Sequence, residues 1–311
     1  MGGRQLDEIL ERVLTPAVGA SDAGDARGWC ADLSVQRLGR RVCSTMQPMT
    51  GPMVRGMLGL GDHTDVALVA RLRDAVEHDR FMFSHRPICS IDDARSILYD
   101  SRSAYLIDDK GERVAVPEDV KPVLERFVMI RYLERYFVEQ AVAWLRANPE
   151  RAVGVGVSAQ TAVIDVWWGA VFAELAKTPH IAHRFFIEIP ERAPVARGGC
   201  RHLVQHLKQL GCHVVLDDFG VSYGIDVDRE IRSPDVIKLD GRFVECGGNT
   251  MLAQRRLDGM ASIARSLAPQ VVATGVTRSD QLAMVRHAGV RWMQMESASH
   301  LPSVRRAACK S

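Results

Sequence analysis

From about residue 81 onward, short β-branched runs alternate with longer segments in which apolar residues recur every three or four positions. Such runs mark strands, and three-to-four spacing marks one face of a helix. The pattern predicts eight strands: Phe81–Cys89, Ile97–Ile107, Val153–Val157, Phe185–Ile189, His213–Leu216, Val236–Leu239, Val271–Thr274 and Arg291–Met293. Between them, VKPVLERFVMIRYLERYFVEQAVAWLRAN, QTAVIDVWWGAVFAELAK, CRHLVQHLKQLG and NTMLAQRRLDGMASIARSLA read as amphipathic helices. Strands alternating with helices predict an α/β fold, and eight over about 230 residues suit a TIM-type (β/α)8 barrel. Only SIDDAR separates the first two strands, too short for a crossover helix, so these two are expected as an antiparallel hairpin.

Residues 1–66 depart from this rhythm. QLDEILERVL suits a short helix, while the Gly-, Asp- and Ala-rich stretch from Ala17 to Gly28 reads as a loop. The expected organisation is a small helical N-terminal extension over 1–66, the barrel over 67–305 and a tail over 306–311. The opening MGGRQLDEILERVL mixes acids and bases where a secretion signal needs an apolar core. The most apolar run, Ala152 to Leu175, contains Gln160, Asp165 and three Gly, so a strand followed by a buried helix explains it better than a membrane span.

Composition adds little direction. Forty Lys and Arg against 38 Asp and Glu leave a formal charge of +2, too even to steer the chain toward a nucleic-acid polymer or a membrane. The seven cysteines (Cys30, Cys43, Cys89, Cys200, Cys212, Cys246, Cys309) form no C-x-x-C pair and fit neither a disulfide framework nor a zinc ribbon. A reducing cytoplasm is the expected compartment.

In a barrel of this type the reactive groups stand where strands end. FFIEIPE supplies Glu188 and Glu191, HVVLDDFG supplies Asp217 and Asp218, VIKLD supplies Lys238 and Asp240, and WMQ supplies Gln294. Carboxylates converging on one mouth repel one another unless divalent cations or a cationic side chain such as Lys238 offset them. Each acid taken alone also reads as a helix cap.

These residues resemble the EAL-type cyclic di-GMP phosphodiesterases. The family's D-D-F-G turn is Asp217, Asp218, Phe219, Gly220; its K-x-D is Lys238, Leu239, Asp240; its E-x-T-E appears as Glu188, Ile189, Pro190, Glu191. RLRDAVEHDRFMFSHRPI is similar to the family's entry helix and Q-P-I strand, and QMESASHLP stands where the family has Q-G-Y, so the likeness runs from about Leu68 to about Pro302. It implies two magnesium or manganese ions clamping a scissile phosphate for attack by water. Glu188, Asp217 and Asp218 match the family's metal ligands, while Lys238 and Gln294 match residues that position water and metals.

Other positions depart. Asp100, Ser101, Arg102, Ser103, Ala104 stand where the family has E-A-L-L-R, which implies a shortened ligand at Asp100 and a lost phosphate-binding Arg at Ala104. Gly156 replaces an Asn ligand, and Thr274 and Thr277 replace both glutamates of A-E-G-V-E. Metal–oxygen distances hold within about 0.2 Å, so each change is poorly compatible with the same site. The resemblance therefore implies a degenerate member that needs no cofactor; magnesium or manganese would matter only with residual activity at Glu188, Asp217, Asp218 and Asp100. Upstream, ADLSVQRLGR from Ala31 to Arg40 resembles the last helix of GGDEF-type domains, and reads equally as a basic amphipathic helix.

Four further patterns have plainer readings. Gly154, Gly156 and Ala159 spell G-x-G-x-x-A, but Gly154 falls inside a strand and the next strand-ending acid, Glu188, comes too late for a dinucleotide fingerprint. His202 and His206 lie four apart beside an apolar stripe with no third ligand evident, which suits boundary histidines. Trp167 and Trp168 read as packing, and Arg37, Arg40 and Arg41 as a solvated face. The expectation is an inactive EAL-like regulatory protein that contacts another, unidentified protein, with weak or absent cyclic di-GMP binding. A homodimer, a non-hydrolysing cyclic di-GMP receptor and a weak phosphodiesterase with an altered metal site stay open.

Overall fold

The computed structural model of the 311-residue chain describes residues 63–107, 113–115, 129–191, 198–221, 230–245 and 250–295. The expectations for the extension before residue 63, the basic cluster, the tail and Cys30, Cys43, Cys246 and Cys309 lie outside the described residues.

The strands are β1 (Phe81–Ser90), β2 (Ile97–Ile107), β3 (Arg113–Ala115), β4 (Val153–Gly156), β5 (Phe185–Pro190), β6 (His213–Phe219), β7 (Val236–Leu239), β8 (Gln270–Val276) and β9 (Trp292–Met295). The helices are α1 (His63–Glu77), α2 (Met129–Ala147), α3 (Val166–Lys177), α4 (Pro179–Ala182), α5 (Gly199–Gln209), α6 (Arg242–Glu245), α7 (Met251–Leu267) and α8 (Ser279–His287). Helix α1 begins ahead of the boundary expected at residue 66.

Eight strands close into a ring in the order β1-β9-β8-β7-β6-β5-β4-β2, and β2 returns to β1. As the short SIDDAR turn demands, β1 and β2 are an antiparallel hairpin, in register from Phe81↔Leu106 to Pro87↔Asp100. β1 also runs antiparallel to β9, while β2–β4 and each successive pair from β4 to β9 are parallel. The short β3, absent from the expected strands, lies antiparallel on the far end of β2. β6 continues to Phe219, three residues beyond its expected end, because pairing with β7 resumes at Phe219↔Leu239 after an irregularity. Asp218 stands inside that irregularity with φ of 55°, a left-handed conformation rare for a side chain with a Cβ. Such bulges re-aim the neighbouring side chains.

Because side chains alternate across a strand, the barrel separates two apolar populations. Ile88, Tyr99, Phe186, Val215, Val236 and Val272 fill the inside. A larger cluster joins the outer strand faces to the helices, for example Val153, Ile187 and Val214 with Leu145, Leu175 and Leu203. α2 presents Ile130, Leu133, Val138, Ala141, Val142 and Leu145 inward at helical spacing. Caps fix the helix starts: Asp165 accepts from the Trp168 amide at 3.0 Å at α3, and Thr250 from the Ala253 amide at 3.2 Å at α7. At the bottom, the Arg184 guanidinium donates to the carbonyls of Leu145, Asn148 and Arg151 at 3.0, 2.7 and 2.6 Å, tying the end of α2 to the start of β5. The run from Ala152 to Leu175 is a strand and a helix, as expected, and among the described residues no helix is long and apolar enough to cross a membrane.

Gly154 lies within β4, where a Cβ would meet Tyr99 Cε2 at 2.5 Å and Glu188 Oε1 at 2.8 Å. That close approach, not a phosphate loop, is what the glycine serves. Gly154→Val is expected to lower the unfolding free energy by about 1–3 kcal/mol through overpacking, measured by urea denaturation; an unchanged midpoint would refute this packing.

Candidate functional site

The inward-facing positions continue upward from the apolar plug into a polar layer. On β5, Phe186 belongs to the plug and Glu188 stands two residues above it; on β6 the same step leads from Val215 to Asp217, and on β7 from Val236 to Lys238. All three polar side chains therefore meet inside the barrel. Lys238 Nζ donates to Asp217 Oδ2 at 2.8 Å and lies 3.5 Å from Glu188 Oε1. Glu188 accepts from the Tyr99 hydroxyl at 2.9 Å on one oxygen and from Ser101 Oγ at 3.2 Å on the other.

Only 3% of Lys238 and 5% of Glu188 is exposed, so these charges have left water. Removing an ammonium from water costs several kcal/mol, and one partner at about 4 Å returns only about 4 kcal/mol at an effective dielectric near 20. Two carboxylates decide the balance: burial works to lower the Lys238 pKa, but Asp217 and Glu188 together hold it above its ordinary value. Tyr99 is pushed the same way by its acidic neighbours, and here burial adds to them instead of opposing them. Burial first, then the negative charges of Glu188 and Asp217, push its hydroxyl well above the usual range, so it stays a proton donor to Glu188.

The other expected site residues separate into several groups. Gln294 is buried on β9. Gly156 is in register with Glu188, with nothing within 4 Å of the place a Cβ would take. Thr274 donates its hydroxyl to the Leu239 carbonyl at 2.8 Å. Thr277 belongs to helix capping, its amide donating to Gln281 Oε1 at 2.8 Å. Glu191 and Asp240 also bind backbone, accepting from the amides of Gly220 and Arg242. The Asp218 amide donates to Asp217 Oδ1 at 2.9 Å, which fixes the Asp217 carboxylate from the bulge.

Two expectations are corrected. Asp100 does not face Glu188; it lies on the outer side of β2, 1% exposed, and accepts from Arg151 Nε and Nη2 at 3.0 and 2.5 Å. Ala104 packs on the same outer side, with Leu72, Phe81 and Leu106. The reason is the two-residue period of the strand: matching the sequence to E-A-L-L-R at Asp100 puts every residue on the wrong face, and Tyr99, Ser101 and Ser103 are the ones that look inward. Tyr99, Ser101, Ser103 and Arg86, which donates to Ser103 Oγ at 3.1 Å, were not among the expected site residues. Counting alternate positions from the apolar Leu106 assigns Ala104, Arg102 and Asp100 to the outer face and leaves Tyr99, Ser101 and Ser103 as the inward set.

The residues present do not fit a pair of divalent cations. Gly156 and Thr274 offer no anionic oxygen, Asp100 faces away, and Lys238 carries the counter-charge between Glu188 and Asp217. Among the described residues no group of three or more His, Cys, Asp or Glu side chains converges to hold a metal ion. The histidine pair is local as well: His206 Nδ1 lies 3.0 Å from the His202 carbonyl, and its ring stacks on Phe172 at 5.4 Å. Trp168 is buried and Trp167 donates to Glu139 at 2.9 Å, as packing residues do.

The EAL domain family model matches residues 69–294, and the chain belongs to the EAL family. Among curated proteins it is 25% identical over 237 residues to cyclic di-GMP phosphodiesterase PdeF of Escherichia coli K12, covering 74% of this chain and 31% of that protein. It is 26% identical over 186 residues to the uncharacterized protein Rv1357c of Mycobacterium tuberculosis, covering 58% of this chain and 60% of that one. The chain spans about a third of the length of PdeF and of PdeA from the same organism. Among solved structures, an EAL domain protein from Listeria monocytogenes aligns with a TM-score of 0.63 at 18% identity, over 73% of this chain and 90% of that one. The FimX EAL domain of Xanthomonas citri, solved in complex with c-diGMP, aligns with a TM-score of 0.63 at 18% identity, over 75% and 92%. These likenesses establish the TIM-type barrel.

Lys238→Met would leave the buried Glu188 and the half-buried Asp217 without their shared cation. Breaking a buried pair in this way is expected to cost about 3–5 kcal/mol at neutral pH. A lysine whose folded pKa is raised stabilises below its unfolded value, and the effect is lost as pH rises through the folded pKa. The stability gap between parent and variant should therefore be constant through neutral pH and narrow above the ordinary value of 10.5. Urea denaturation across that range checks it; a gap that widens with pH would contradict the pairing.

Proposed function

We propose that this EAL-family chain does not hydrolyse cyclic di-GMP and acts in cyclic di-GMP signalling as a cytoplasmic regulatory protein, through contact with another protein. The observation that carries the reading is the pair Gly156 and Thr274, which stand on the strands beside Glu188 and Lys238 where the resemblance implies an Asn and a Glu ligand. Metal-assisted attack on a phosphodiester needs cations that lower the pKa of water and clamp the departing oxygen, and neither residue can complete a coordination shell for them. Natural relatives such as PdeF are named for the hydrolysis; here the barrel is kept, with Glu188, Asp217 and Asp218, while Gly156 and Thr274 stand at two of the implied ligand positions.

A second reading, a receptor that binds cyclic di-GMP without cleaving it, is favoured by one feature. Arg86, half-buried on the inner side of β1, presents a guanidinium at the mouth, a group suited to phosphate. Calorimetry with cyclic di-GMP in EDTA separates this reading from a pure protein-contact role.

Incubated with cyclic di-GMP and Mn2+, the protein is expected to yield no linear dinucleotide above the level of a Lys238→Met, Glu188→Gln control. Linear product formed in proportion to protein concentration, and abolished in that control, would overturn the proposal.

A further inference from the structure

We infer that Arg86 is a built-in counter-cation that weakens divalent-metal binding at the mouth of the barrel. The inference rests on the non-hydrolysing reading of the same site and gives it a second cause, independent of the missing ligands.

The placement follows from the strand. Ile88 belongs to the plug inside the barrel, so Arg86, two residues earlier on β1, faces the same way. It pairs across the hairpin with Ser101, whose hydroxyl binds Glu188, and its own Nη2 donates to Ser103 Oγ at 3.1 Å. It lies near enough to Lys238 for the two positive charges to oppose each other. Four charged groups thus share one layer: Glu188 and Asp217 are negative, and Lys238 and Arg86 are positive. Arg86 offsets one of these carboxylates, and an incoming dication would face a fixed guanidinium in addition to Lys238. In the segment that resembles the family's Q-P-I strand, the chain reads Arg86, Pro87, Ile88, so a cation stands where the resemblance has a neutral amide.

The test reads Mn2+ binding by the loss of the free-ion paramagnetic resonance signal, on the full chain and without nucleotide. Ser101→Glu, Gly156→Asn and Thr274→Glu together supply ligands on the inward face. Adding Arg86→Gln to that triple variant should strengthen Mn2+ binding tenfold, whereas Arg86→Lys, which keeps the charge, should leave it unchanged. A gain of threefold or more for glutamine alone supports the inference; a smaller gain, or an equal gain for lysine, overturns it. Should the triple variant fail to fold, Arg86→Gln with Lys238→Met in the parent decides instead. Removing both cations should make the thermal midpoint rise with Mn2+, or make folding depend on it; insensitivity to Mn2+ in either state overturns the inference. Linear product from the unaltered parent would instead strike the non-hydrolysing reading, so the two failures are distinguishable.

Discussion

Burying charge inside a protein is tolerable only when the charges answer one another, and the mouth of this barrel is organised by that requirement. Glu188 and Asp217 arrive there because β5 and β6 are parallel neighbours whose inward positions are in step. Once water is excluded, two adjacent carboxylates need cations, and the chain supplies one of its own from β7. The rest of the layer arranges itself around that decision. Tyr99 and Ser101 donate to Glu188, the Asp218 amide donates to Asp217, and Gly154 leaves room for the Tyr99 ring beneath.

The same requirement links fold to function. A family barrel that offers its carboxylates to metals must keep them available, with further oxygen ligands on neighbouring strands. Here the neighbouring inward positions are Ser101, Gly156 and Thr274, and the hydroxyl of Thr274 is turned to the Leu239 carbonyl. Glu188 and Asp217 themselves are held by hydrogen bonds and ion pairs within the protein.

Much of the architecture was legible in the amino-acid order, because period and spacing act locally. The short turn after Ser90 dictated the hairpin, and β-branched runs between helix-length segments dictated the ring. Glu188, Asp217 and Lys238 could be picked out because each interrupts an apolar strand near its end. The β2 residues could not be placed by motif. Its strand, ILYDSRSAYLI, is polar on both faces: Asp100 is answered by Arg151 from the turn after α2, and Arg102 lies over the Phe83 ring at 3.7 Å. An acid at Asp100 thus looked like a ligand when its partner was 51 residues away on the outside. Arg86 escaped notice for a related reason, since its role depends on Lys238 and Glu188, far along the chain and visible only once the barrel closes.

The central proposal is that Glu188 and Asp217 are neutralised by the chain's own Lys238 with no divalent cation between them. A crystal structure grown with millimolar Mn2+, with anomalous differences collected at the manganese edge, tests it most directly. The account predicts Lys238 Nζ within hydrogen-bonding distance of Asp217 and no anomalous peak between the two carboxylates. A manganese peak bridging Glu188 and Asp217, with the lysine displaced, would contradict it.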